Sequence, residues 1–181
     1  MGLVYDLADA VARFMTASPG IPLVFLYVAI ASGPVVLIHE LGHAIAARVL
    51  VDADVELSVG STGRIAELRL GRITARINAL SLRGSPGEVT FGDARATAQD
   101  VLLVALAGPL ASLGGTVVCA LLLSAAPNSG IVHDLLWSAV ACGVVGVVLN
   151  LLPLTLQNSS GAMRSDGRVA LDALRLAWPL S

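Results

Sequence analysis

Two histidines and a glutamate stand at a spacing that can carry metal chemistry: His39-Glu40-Leu41-Gly42-His43, an H-E-x-x-H sequence. On an α-helix residues four apart share a face, so the imidazoles of His39 and His43 can grip one ion. Glu40 sits beside them as a candidate general base for activating water. Zinc is the ion such a pattern serves in metalloproteases, and a catalytic zinc takes three protein ligands and keeps one position open. Two histidines therefore leave one ligand to find. The setting sharpens the point, because the run from Ile21 to Ile38 directly before the motif has no charged side chain. An ionisable cluster at membrane depth is costly and marks function by default.

The elements that must hold this cluster are legible as apolar segments. The chain has 181 residues, of which 56% are hydrophobic and 13% charged. Soluble domains carry roughly a quarter charged residues. We therefore expect an α-helical integral membrane protein, folded as a single membrane-embedded domain. Residues 21–51, 101–126 and 135–154 each reach the roughly 20 residues a spanning helix needs, and the motif falls in the later half of the first. Before them, Leu3, Leu7, Val11 and Phe14 share one helical face, which predicts a short helix over 1–18 lying on the membrane surface. Its Asp6 and Asp9 stand where a secretory signal would be basic.

All 11 basic residues are arginines, and their placement orients the spans. Arg64, Arg69, Arg72, Arg76, Arg83 and Arg95 lie between the first and second spans, with Arg48 just before them; Arg164, Arg168 and Arg175 follow the third. The link between the second and third spans has none. The positive-inside rule puts the N-terminus outside and the loop and C-terminus in the cytoplasm. Within 52–92, Val55, Leu57 and Val59 alternate with polar residues, as do Ile73, Ala75, Ile77 and Ala79. Gly60 to Gly63, Gly71, and Gly84 to Gly87 read as turns. A small membrane-associated β-sheet is expected there, either as a folded connector or as an edge that pairs with an extended peptide. Cys119 and Cys142 lie in apolar runs without ligand spacing and read as small packing residues. The net charge of −2 gives nucleic-acid binding no support.

Three features converge on one depth. His39 lies roughly 27 Å along its helix from Ile21, and Asn150 about 22 Å along its own from Leu135. Gly108-Pro109 lies about 10 Å from the cytoplasmic start of the oppositely directed second span. All fall in the inner leaflet. Gly108, Ala111, Ser112, Gly114 and Gly115 would let helices approach closely. For the third ligand, Asp166 is the candidate, since no other Asp, Glu, His or Cys occurs between Cys142 and Asp172. Asp172 is the fallback, further from the membrane. His133 falls on the external side. Pro34, about one and a half turns before the motif, reads either as the ordinary tolerance of proline in membrane helices or as a bend that opens a water-filled cavity around the metal.

Taken together these residues resemble the site-2 protease family of intramembrane zinc metallopeptidases, over about Val35 to Arg168. His39 to His43 with Ala44 matches the family's first signature. Ala107-Gly-Pro-Leu-Ala111 resembles its middle-helix signature, and Asn150-Leu-Leu-Pro153 with Asp166-Gly167 its last. Residues 154–165 lengthen the interval between the proline and the Asp-Gly pair relative to the commoner pattern. The resemblance implies a minimal three-helix core without a peptide-binding insert, with His39, His43 and Asp166 on one Zn2+. It implies Glu40 as the proton carrier from water to the leaving amine, and Asn150 as a hydrogen-bond donor to the substrate carbonyl. It further implies an endopeptidase that cuts a membrane-protein substrate in or beside its transmembrane segment. The expected location is the plasma membrane of a bacterium, with the site toward the cytoplasm. The alternatives are a non-proteolytic zinc-binding scaffold, which would need no base at Glu40, and an ion-conducting bundle, for which three spans offer little room.

Overall fold

A computed structural model of the chain describes residues 20–51, 54–60, 62–79, 87–91, 96–127, 129–158 and 161–178. The surface helix expected over 1–18 and most of the turn expected over 84–87 lie outside these. Three long helices dominate: α1 (Gly20–Leu50), α2 (Ala98–Ala125) and α3 (Ile131–Leu151). Each is long and apolar enough to cross a membrane. Their outward faces stay apolar: Phe25, Leu110, Leu121, Ile131 and Val145 are all more than half exposed. A soluble monomer rarely leaves so wide an apolar surface uncovered.

Local chemistry sets the helix ends. Thr97 caps α2 in a reciprocal box: its hydroxyl accepts from the Asp100 amide at 3.2 Å, and the Asp100 carboxylate accepts from the Thr97 amide at 2.8 Å. Such a cap satisfies two of the amides a helix start leaves bare. Pro153 follows the end of α3 at Leu151, and the residue before a proline is biased out of helical geometry.

Between α1 and α2 lie β1 (Val55–Val59), β2 (Thr62–Leu70), β3 (Ile73–Ala79) and β4 (Gly87–Phe91), paired in the order β2-β3-β1-β4. β2 and β3 form an antiparallel hairpin turning at Gly71, whose φ of 64° suits a residue without a Cβ. β1 runs parallel to β3 and antiparallel to β4. The alternation in the sequence marks β1 and β3, but neither β2, β4 nor this mixed pairing. Val55, Leu57 and Val59 are buried against Ala44 and Ala47 of α1 and Val104 of α2. Burying Val55 and Leu57 fully contributes about 1.5–3 kcal/mol each, enough to fasten the sheet to the helix that carries the histidines. The opposite face is charged, with Arg76 bridging Glu56 at 2.7 Å and Glu67 at 3.5 Å. These surface pairs add little stability.

The segment after the third span, 155–181, expected to hold the Asp-Gly pair and a cytoplasmic tail, forms a hairpin and a helix over its described residues. β5 (Thr155–Asn158) pairs antiparallel with β6 (Gly161–Arg164), and α4 (Asp166–Ala177) packs its small residues Ala170 and Ala173 inward. In the bundle α2 is central, touching α1, α3 and α4.

Candidate metal centre

His39 and His43 sit one turn apart on α1, 8% and 7% exposed, with Glu40 at 8% on the same turn. α2 backs both imidazoles. His43 Nδ1 lies 2.7 Å from the Val104 carbonyl, and His39 Nδ1 lies 3.0 Å from Ser112 Oγ. A carbonyl only accepts, so Nδ1 of His43 carries the proton and Nε2 presents a lone pair. Ser112 Oγ can accept the corresponding proton from His39, which bares its Nε2 as well. Thr116 Oγ1 in turn donates to the Ser112 carbonyl at 2.7 Å, one turn further along α2. Outer hydrogen bonds of this kind orient metal-binding histidines and fix their tautomer.

Room for the second imidazole comes from a missing side chain. A Cβ at Gly108 would run into the His43 ring, and one at Gly42 would come within 2.5 Å of the Ala107 carbonyl. Of the small residues expected to let helices approach, Gly108 and Ala111 do so beside the histidines and Gly115 lies against Ile38, whereas Gly114 meets nothing within 4 Å. The third group arrives from the far end of the chain. Asp166 opens α4 immediately after the N-cap Ser165. Gly167 lies so close to the Leu151 carbonyl at the end of α3 that a Cβ there would overlap it.

The result is a cluster of three ligand types. The two Nε2 atoms are 3.2 Å apart; Asp166 Oδ2 is 3.0 Å from His39 Nε2 and Oδ1 is 3.3 Å from His43 Nε2. A tetrahedral zinc with bonds of about 2.0–2.1 Å would want ligand atoms about 3.3–3.4 Å apart, so the spacing fits such an ion. The donor chemistry agrees. Two bare imidazole nitrogens facing each other repel, and Asp166 Oδ2 is buried yet receives no hydrogen bond. A cation among them would relieve both. His39, His43 and Asp166 can together hold a metal ion. The Asp166 side chain is the most open of the three, 20% exposed against 10% and 9%, so access is easiest from its side.

The other sequence candidates fall as follows. Asn150 is half-buried in the last turn of α3, and its carbonyl lies against Gly167; it is not among the three ligands. Asp172 pairs with Arg164 and Arg168 on the outer side of α4, so the fallback ligand is engaged elsewhere. His133 pairs with Asp134 at the opposite end of α3. Sequence reasoning missed the contact roles of the Val104 carbonyl, Ser112 and Ser165. A backbone carbonyl leaves no mark in a sequence, whereas Ser112 stood within the small-residue stripe and Ser165 directly before Asp166. Neither family models, nor curated proteins, nor solved structures give a match to this chain.

Proposed function

We propose that the chain is a zinc-dependent endopeptidase that hydrolyses a peptide bond within or beside a transmembrane segment, in the manner of the site-2 proteases its motifs resemble. One observation carries this reading: the two histidines and the distant Asp166 form a single three-ligand cluster, with a buried carboxylate, Glu40, on the same turn as the histidines. A protein that merely stored a metal would need no such carboxylate, and burying one without use is costly. Zinc bound there would supply Lewis acidity toward the scissile carbonyl and toward water at neutral pH.

The remaining roles belong to the chain's own groups. Glu40 takes a proton from the attacking water and returns it to the leaving amine, work worth about 10²- to 10⁴-fold in rate. Asn150, near the junction of α3 and α4, is the proposed donor to the carbonyl oxygen of the substrate. The α1 and α2 backing holds the imidazoles in one tautomer, so nothing need reorganise as the reaction proceeds. The substrate is a membrane protein whose helix must open into an extended strand. Among the described residues β2 and β4 are the outer strands of the sheet, and β4 also packs on α1, so its free edge offers backbone pairing beside the metal-binding helix. The bilayer is the working environment, with the site toward the cytoplasmic leaflet by the arginine distribution.

The test is Glu40→Gln, compared with the wild-type chain in liposomes holding single-span substrates. We expect equal zinc content in the two proteins and at least about a hundredfold loss of cleavage in the variant. Cleavage that persists at the wild-type rate in Glu40→Gln would sink the reading.

A further inference from the structure

The third ligand is held by a residue beside it. Ser165 makes more directed contacts than any capping role requires. Its hydroxyl accepts from the Arg168 amide at 3.2 Å, which caps α4. The same oxygen accepts from the Leu154 amide at 3.0 Å and donates to the Leu152 carbonyl at 2.5 Å. Its backbone joins in: the Ser165 amide donates to the Leu154 carbonyl at 3.1 Å, and the Ser165 carbonyl accepts from Arg168 and Val169, each at 3.0 Å. One side chain thus ties the exit of α3, the base of the β5–β6 hairpin and the start of α4 to a single point.

We infer that Ser165 is the positioning residue for Asp166, a clasp that pinches off the hairpin and so fixes where the third metal ligand stands. The inference rests on the metal-centre reading above. Physically, the hairpin inserts extra chain length between α3 and Asp166, and ordering a longer closed segment costs entropy. Joining Leu152 and Leu154 directly to Ser165 removes that length from the path between the helices. Whatever the hairpin does, Asp166 is then set by α3 and by the cap, together with the close seating of Gly167 on Leu151. The hydroxyl must both donate and accept to do this. Threonine can replace it, alanine cannot, and an asparagine can cap α4 through its oxygen but is not shaped to donate to the same Leu152 carbonyl.

The experiment titrates Co2+ into the full-length detergent-solubilised chain, reading the visible ligand-field spectrum, and follows hydrogen exchange over 150–169 in the metal-free protein. Wild type and Ser165→Thr should take one ion per chain with the same spectrum. Ser165→Ala should bind about tenfold more weakly, as outer positioning groups of metal sites do, with a shifted spectrum and faster exchange of the Leu154 and Arg168 amides. Ser165→Asn should fall between. Wild-type affinity, spectrum and exchange in Ser165→Ala would overturn the clasp. Loss of binding in Ser165→Ala with unchanged exchange would overturn it as well, since the effect would then not pass through those amides. If the wild-type chain takes no Co2+ and His39→Ala behaves alike, the metal reading fails instead. The clasp is then decided by exchange alone: faster exchange at Leu154 and Arg168 in Ser165→Ala than in wild type supports it, and equal exchange refutes it.

Discussion

His39 and His43 meet through a single turn of α1, whereas Asp166 meets them only after the chain has passed through a sheet, two long helices and a hairpin. The first half of the centre is local. Any helix that forms there brings the two imidazoles to one face. The second half is tertiary, and every contact that seats α4 contributes to it: Ser165 on Leu152 and Leu154, Gly167 on Leu151, Ala170 and Ala173 in the helix interface. A ligand set made this way has an uneven sensitivity. The spacing of the histidine pair is set within α1 and only the ring orientation depends on α2, while the whole placement of the carboxylate depends on the rest of the fold.

Three experiments press on this contrast. The largest effect is expected from removing a ligand. His39→Ala and Asp166→Ala should each weaken metal binding well beyond about a hundredfold, more than outer-contact changes do, as read by metal-to-protein ratio after dialysis. Full metal content in Asp166→Ala would dissolve the contrast, because the site would then be the local pair with some other third group. Next come the close approaches. Gly108→Ala places a methyl in the His43 ring and Gly167→Ala places one in the Leu151 carbonyl. Each should cost about 1–3 kcal/mol and lower the midpoint of thermal unfolding in detergent. Gly114→Ala, which meets nothing within 4 Å, should be neutral or slightly stabilising, as alanine favours a helix more than glycine does. A stable, metal-replete Gly167→Ala would mean α4 has freedom the packing denies it. The smallest effect should come from Thr97→Ala, which breaks the α2 capping box at a cost of about 1 kcal/mol without touching metal content.

The same division explains what could be read from the sequence. The histidines, Glu40 and the three apolar helices were legible because helical periodicity and hydropathy are local properties. Asp166 was reachable by elimination among the few titratable residues beyond Cys142 and through the resemblance carried by the Asp166-Gly167 pair. The alternation of Val55, Leu57 and Val59 foretold the buried face of β1, but pairing with β3 depends on which strand fits beside it in space, and no local pattern encodes that. The β5–β6 hairpin escaped notice because its strands are short and polar. The α4 helix was hidden behind it: its buried residues are the small Ala170 and Ala173, while Leu174 and Leu176 remain exposed, so its packed side does not stand out as a run of large apolar residues. Ser165 looked like one more polar residue in a connection until its partners were known.

The order of strands in the sheet has a consequence for how the protein is made. β1 leaves the ribosome first, directly after α1, yet both of its neighbours, β3 and β4, are encoded later. A growing chain cannot complete β1 by folding back on what has already emerged. It must first turn the β2–β3 hairpin at Gly71, slot β3 in beside β1, and then wait for Phe91 to close the other side. Throughout that interval a strand with two open edges stands beside the apolar α1, a template for wrong pairing. An unfinished or truncated chain therefore differs from a finished one in a feature that chaperones and membrane proteases can recognise, and the histidine-bearing helix is joined to that feature by only a few residues.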